Sequence, residues 1–311
     1  MPKYFLVVDG GATKTVVSLR NQDNLSLAQV EGSGSNFQVI GLTIFSNVIK
    51  NLILDILSIH RVKEVDVLLF ALAGIDSQKD HDFIKEALTE ILFDIKLEYK
   101  SLVVENDAYS TLLGLTHSEP GVLVISGTGS IAYAHDGTGK VTRAGGWGHR
   151  SGDEGSGYWI GREILKSIYR MEDGRNPTTL LQELVFEHLS IETIDELSNW
   201  HYGSSYSVDQ VANLSYCLQL AYKQQDPVAI ALFKRSSFEL VTLAEAVIQS
   251  SHIQSKSCTI YFNGGTIRNF EELFLEVKNK MLEKFPTKRV ELCTTPPIES
   301  IFIRAKELTH D

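Results

Sequence analysis

VVDGGATKTVVSLR, residues 7–20, interrupts a β pattern and resumes it at once. An apolar run ends on an acid and two glycines, and apolar alternation resumes directly after a small polar cluster. The pattern predicts two antiparallel strands, Tyr4–Val8 and Thr15–Arg20, joined by a bend, with Leu25–Val30 as the third strand of a meander. The bend is not a Walker A loop, because the spacing G-x-x-x-x-G-K-[ST] fails and no helix follows. Asp-Gly alone would suit a plain hairpin turn, but such a turn does not call for Thr13, Lys14 and Thr15 together. Glycines let backbone N–H groups approach an anion, and hydroxyls with an ammonium complete a phosphate cradle. Gly10, Gly11, Thr13 and Lys14 are therefore expected to bind nucleotide phosphates, and Asp9, at the strand's end, to hold Mg²⁺ through waters.

Outward from this stretch the pattern reads as α/β. A helix is expected over Ile44–Ile59, a strand over Val65–Leu72, a helix over Lys79–Leu92, a strand over Ser101–Val104 and a short helix over Asp107–Leu115. The opening then recurs. Gly121–Ser126 reads as a strand ending in Gly127-Thr128-Gly129-Ser130, Ile131–His135 resumes it, Asp136-Gly137 turns, and Val141–Ala144 follows. Each half thus begins strand, glycine bend, returning strand, a repeat of architecture without a clear repeat of sequence. Helices are expected over Gly155–Tyr169, Thr178–His188, Thr193–Tyr202, Ser207–Gln224 and Pro227–Ser250. A strand at Thr259–Phe262, Gly264-Gly265, a helix at about Ile267–Phe285, a strand at Arg289–Leu292 and a last helix after Pro297 complete the chain. Gly127, Thr128, Gly129 and Ser130 are expected to form a second phosphate bend, and Gly264 and Gly265 to pack the adenosine, with the nucleotide in a cleft between the halves.

At 311 residues the chain is long for one compact core, so two domains are expected. The net charge of −10 argues against a protein that grips a nucleic-acid backbone. No apolar stretch is read as long enough to span a bilayer, and no signal peptide is read at the N-terminus. Cys217, Cys258 and Cys293 are scattered and odd in number, which suits a reducing, cytoplasmic compartment better than a disulfide framework.

The densest segment, residues 144–157, holds six glycines in fourteen residues, more than a plain loop needs. Close backbone approach to a ligand is expected there. Asp153 is expected to accept hydroxyl bonds from a sugar, whereas Glu154 suits the first turn of the next helix. His149 and Arg150 read as structural hydrogen-bonders, and Trp147 either floors a pocket or fills core. Asn106-Asp107-Ala108 follows a strand and opens a helix. A carboxylate at a strand's carboxyl end lies where α/β proteins bind ligands, so Asp107 is expected to be the base that accepts the proton of an attacking hydroxyl. Gly32-Ser33-Gly34-Ser35-Asn36 is a further small polar loop whose Asn36 can pair with a hydroxyl or an acetamide.

Together these pieces resemble the N-acetylglucosamine kinase family, within the BadF/BadG/BcrA/BcrD-type ATPase group of the actin-like sugar-kinase superfamily. The matching stretches are DGGATKT (9–15), GSGSN (32–36), ALAG (71–74), NDA (106–108), SGTGS (126–130), GGWGHRSGDEGSGYWIG (145–161) and NGGT (263–266). The resemblance implies two ribonuclease-H-like domains, 1–116 plus 297–311 and 117–296, closing over ATP-Mg²⁺ and an amino sugar. It implies Asn36, Gly74, Gly146, Trp147 and Asp153 as sugar-site residues, Asp107 as base for the 6-hydroxyl, and a homodimer as in the relatives. Two departures stand out: Gln225-Asp226-Pro227 where Gly-Asp-Pro is common, and Ile298-Glu299-Ser300-Ile301 where small residues usually follow the proline pair. The rival readings on the same fold are an ATPase that activates a dehydratase through a shared iron–sulfur cluster, and a non-catalytic sugar sensor. The cysteine placement disfavours the first. The retained Asp107, and the absence of a basic helical module before the first strand, disfavour the second.

Overall fold

The computed structural model describes residues 3–204 and 206–309. The chain divides into two compact units, Met1–Glu119 with Thr295–Asp311, and Pro120–Thr294. In the first unit run β1 (Tyr4–Gly10), β2 (Lys14–Asn21), β3 (Ser26–Ser33), α1 (Phe37–Ile40), α2 (Leu42–Ile59), β4 (Glu64–Leu72), α3 (Gln78–Ile95), β5 (Glu98–Glu105) and α4 (Asp107–Thr116). The second unit begins with β6 (Gly121–Ser126), β7 (Ser130–His135) and β8 (Val141–Gly145). Its helices α5 (Gly157–Glu172), α6 (Leu181–Leu189), α7 (Ile194–Tyr202), α8 (Val208–Asn213), α9 (Ser215–Lys223) and α10 (Pro227–Ser250) follow. Then come β9 (Thr259–Asn263), α11 (Gly265–Asn269), α12 (Glu271–Lys284) and β10 (Arg289–Leu292), and the chain returns to the first unit as α13 (Pro297–Glu307).

Both units carry a five-stranded mixed sheet, and the strand orders match: β3-β2-β1-β4-β5 and β8-β7-β6-β9-β10. In each, three strands form an antiparallel meander and two more add in parallel beyond the first. Alternation along β1 sorts the first unit's core. Leu6 and Val8 join the cluster of Phe45, Ile49, Ile84 and Leu88 on α2 and α3, while Phe5 and Val7 join Ile298, Ile301 and Phe302 of α13. The rings of Phe5 and Phe302 meet edge to face at 5.5 Å. Burying side chains of this size stabilises by about 2 kcal/mol each. By the same period of two, Asp9 stands at the end of the row Phe5, Val7, on the face that α13 covers. The second unit's core is built by β6 and β7 with the helical segment, notably Trp159, Ile164, Leu218, Phe233 and Leu240.

Four expectations change. The polar loop at Gly32-Ser33 is still strand, since Lys14 pairs with Ser33. The single helix expected over Ser207–Gln224 is two, bent where Leu214 N–H bonds to Val211 O (3.1 Å) and Cys217 N–H to Leu214 O (2.9 Å), tight i→i+3 bonds that need no proline or glycine. The helix expected over Ile267–Phe285 breaks at Phe270 (φ −117°, ψ 79°), whose ring is buried beside Tyr222 and Phe233. Finally, α2 has 18 residues and a mean hydropathy of 1.6, so one segment does reach the length and apolarity of a membrane span. In the fold, its Phe45, Ile49, Leu52, Ile53 and Ile56 are buried, and the helix packs on β2, β3 and α3.

Candidate active site

In the first unit the carboxyl ends of β1, β4 and β5 lie side by side, Asp9 opposite Ala71 and Ala71 opposite Glu105. Everything sequence reasoning assigned to this unit gathers at that edge. The bend after β1 closes with Gly11 N–H to Lys14 O at 2.9 Å. It is held from beneath by residues 33–36: Ser35 N–H donates to Gly11 O (3.0 Å), and the Thr15 hydroxyl donates to Ser33 O (2.8 Å) and to Ser35 Oγ (2.9 Å). The approach leaves no room for side chains. A Cβ on Gly10 would stand 2.4 Å from Ser35 Oγ, and one on Gly34 would stand 2.0 Å from Ala12 O. Thr13 and Lys14 are exposed at the tip, with Lys14 Nζ 3.5 Å from Glu31.

Asn36 caps α1 by accepting from Gln38 N–H at 3.1 Å. Its Oδ1 would be 2.6 Å from a Cβ on Gly74, whose φ of +92° also suits glycine. Gln38 Nε2 donates to Gly74 O at 2.9 Å, so Asn36 and Gly74 form one contiguous surface. Asn106 caps α4, its Oδ1 accepting from Ala108 and Tyr109 N–H (3.0 and 3.2 Å), which sets Asp107 at the first helical position. Burial pushes the Asp107 carboxyl up to about 6, with the charge of Asp76 adding to the rise and the Ala108 N–H opposing it. Burial, and then the Asp107 charge, push Asp9 up to about 7 against the pull of Lys14. Asp76 and Ser35 were not singled out from sequence. Asp76 follows the ALAG stretch and precedes the α3 cap Ser77, so it reads as an ordinary turn acid.

In the second unit the bend at 126–130 closes with Gly127 N–H to Gly129 O at 2.9 Å. Gly127 O accepts from Gly157 N–H (2.8 Å) and Thr266 Oγ1 (2.9 Å), so the second bend, the third bend and the start of α5 are joined. Gly264, at φ +103°, would drive a Cβ to 2.3 Å from Ser126 O. Beside Gly127 and Gly265 opens a cavity of about 290 Å³, walled by Asn213, Tyr216, Gln219, Asn269 and Phe270. These wall residues were invisible in sequence because α8, α9, α11 and the start of α12 meet only in three dimensions.

Asp153 is buried, holds φ at +62°, and accepts from Ser130 N–H at 3.3 Å. Burial raises its pKa, while the Ser130 N–H and the charge of His149 hold it back. Ser130 Oγ donates to Glu154 O (2.8 Å), and Gly146 N–H donates to Ser130 O (2.9 Å). Gly146, Ser130 and Asp153 are therefore one structural group. Glu154 lies ahead of α5, whose cap is Ser156, and not in its first turn. His149 meets Tyr158 edge-on at 5.2 Å. Trp147 is not core: it is 71% exposed, with the Arg143 guanidinium 4.7 Å over its ring.

Two matched mixed sheets, each opening on a strand, a glycine bend and a returning strand, define an α/β protein of the sugar-kinase fold class. A solved structure from Chromobacterium violaceum, of a protein proposed to be an N-acetylglucosamine kinase, superposes with a TM-score of 0.72 at 23% identity, over 97% of this chain and 99% of that one. The chain belongs to the BadF/BadG/BcrA/BcrD ATPase family, whose model matches residues 6–292. It is similar to the N-acetylmuramic acid/N-acetylglucosamine kinase of Clostridium acetobutylicum, at 29% identity over 93% of each chain. It is likewise similar to the N-acetyl-D-glucosamine kinase of Dictyostelium discoideum, at 28% identity over 94% of each.

Proposed function

We propose that this protein is an ATP-dependent kinase that phosphorylates the 6-hydroxyl of N-acetylglucosamine or a closely related hexosamine. The observation that carries the reading is the gathering of Asp9, the Asn36–Gly74 surface and Asp107 at one sheet edge, in a chain similar to kinases of such sugars. Each unit contributes a glycine-rich bend to phosphate binding, Gly10–Lys14 in one and Gly127–Ser130 in the other. The cavity beside Gly265 takes the nucleoside. Asn36, Gly74, Gly146, Trp147 and Asp153 bind the sugar. The matched strand orders support two ribonuclease-H-like domains, 1–116 with 297–311 and 117–296, the terminal residues 1, 2, 310 and 311 lying outside the described ones.

Asp107 orients the sugar hydroxyl and accepts its proton. With its carboxyl near 6, it is mostly ionised at neutral pH and still basic enough to take that proton. Lys14 offsets phosphate charge. Among the described residues no group of three acids, histidines or cysteines forms a metal cage. The Asp9 carboxyl, raised by burial and by the charge of Asp107, is a donor that suits Mg²⁺, which binds through one or two carboxylates, waters and substrate phosphates. Asp9, half-buried and within the influence of the Asp107 charge, is the residue that would hold it. Mg²⁺ would neutralise charge on the transferring phosphoryl group. The rival iron–sulfur reading gains nothing from the fold, since Cys217, Cys258 and Cys293 are all buried.

The test is ADP release in a coupled assay with N-acetylglucosamine, glucosamine, N-acetylmuramic acid and glucose. Sugar-dependent release with at least one amino sugar is expected. Release that no sugar stimulates would overturn the kinase reading.

A further inference from the structure

We propose that Arg304, Glu105 and Ser110 form a positioning relay that fixes the first turn of α4, and with it the Asp107 carboxylate. The proposal rests on the role given above to Asp107. Glu105 is the last residue of β5, two positions before Asp107. Its two carboxylate oxygens are shared out. Oε1 accepts from Arg304 Nη2 at 2.9 Å and Nε at 3.3 Å, and Oε2 accepts from the Ser110 hydroxyl at 2.5 Å. The pair is enclosed, with 16% of the Arg304 side chain and 10% of the Glu105 side chain exposed. Charge-assisted bonds in such surroundings are short and directional. Ser110 N–H closes the first helical bond of α4 onto Asn106 O (2.9 Å). Ser110, at the close of the first turn, is thus tied back to the end of β5 and, through Glu105, to Arg304 of α13.

The helices themselves are in backbone contact. A Cβ on Gly114 of α4 would stand 1.8 Å from Ser300 O of α13, so the two backbones are in direct contact at that point. The far end of α4 is tied as well, since Ser118 Oγ donates to Glu307 at 2.8 Å. A second ion pair on α13, Arg20 with Glu299 at 2.5 and 2.6 Å, anchors that helix to β2, and Arg20 also bonds Ser18 and Asn24. It provides a matched control: both pairs hold α13, but only the Glu105 pair reaches the turn that carries Asp107.

Losing the relay should act on the reacting geometry alone. A misplacement of about 1 Å costs on the order of a hundredfold in rate, and a group that acts only in the transition state lowers kcat without raising KM. The variants are Ser110→Ala, Arg304→Met, their double and, as control, Glu299→Gln. With N-acetylglucosamine and ATP as substrates, each relay single should lower kcat about tenfold or more with both KM values within about twofold. The double should be no slower than the slower single, as for one functional unit. Glu299→Gln should lower the melting temperature and leave kcat within about twofold. Relay variants whose kcat follows that of Glu299→Gln would overturn the proposal. Hydrogen exchange gives a readout besides activity: amides 106–112 should exchange faster in the relay variants and unchanged in Glu299→Gln. Unchanged exchange in the relay variants overturns the relay even if the wild type phosphorylates no amino sugar, an outcome that would by itself sink only the kinase reading.

Discussion

Replacing Asp9 by Asn should stabilise the ligand-free protein, and the gain should grow with pH. The Asp9 carboxyl is raised from its ordinary 3.8 to about 7, first by burial and then by the Asp107 charge. In the unfolded chain it titrates near 3.9. Between those values the folded state keeps a proton that the unfolded state has lost. Stability therefore falls as pH rises from about 4 to about 7 and stays low above it, the reverse of a carboxylate held by a cation. At about 1.4 kcal/mol per tenfold difference in proton affinity, the full penalty is about 4 kcal/mol at pH 8, and about 1.5 kcal/mol is already present at pH 5. Asparagine keeps the shape without the charge. The stability difference between Asp9→Asn and wild type should thus widen by about 2.5 kcal/mol from pH 5 to pH 8. Halving this for the carboxylate's remaining contact with solvent leaves over 1 kcal/mol. Urea midpoints at pH 5, 6, 7 and 8, in chelator-treated buffer, measure it. Adding Mg²⁺ with ATP at pH 8 should stabilise the wild type and not the variant. Parallel midpoint curves for the two proteins would refute both the buried-charge account and the metal role derived from it.

Asp107→Asn should leave ATP binding by calorimetry nearly intact and lower turnover by about a hundredfold or more, the scale of losing a general base; unchanged turnover would remove Asp107 from the chemistry. Gly114→Ala should cost several kcal/mol in the first unit, because the added methyl meets a carbonyl at 1.8 Å and cannot be absorbed by a side-chain swing; a melting temperature within a degree of wild type would contradict that packing. Gln225→Gly should stabilise by about 0.5–1 kcal/mol in urea unfolding, since Gln225 holds φ at +61°, where an L side chain is strained. A neutral or destabilising result would mean that the Gln225 side chain contributes more than the strain it carries.

The meander at 4–33 was legible because its signal is local: a period of two, broken by an acid and two glycines. The long helices α2, α3 and α10 were legible for the same reason, and α10 also carries its punctuation, with Asp226 accepting from Ala229 N–H at 2.8 Å ahead of Pro227. The departure at Gln225 was noticed in sequence, but its left-handed backbone was not, because glutamine carries no such signal. Asp9, Asn36 and Asp107 stood out because each ends a strand or opens a helix. Gly34 and Gly114 did not, since what makes them glycine is a carbonyl from a distant element. The breaks at Leu214 and Phe270 left no trace, being set by packing and not by a helix-breaking residue. The relay on Glu105 was hidden for the plainest reason: Arg304 lies 199 positions away in the chain.

Helix α13 carries a consequence for synthesis. The apolar row of Phe5, Val7 and Leu69 is translated long before the Ile301 and Phe302 that cover it. The second unit lacks no later segment and can close while still tethered, whereas the first must wait with one side of its sheet bare. Stalled or clipped chains that stop short of residue 297 should therefore be sticky, chaperone-dependent species.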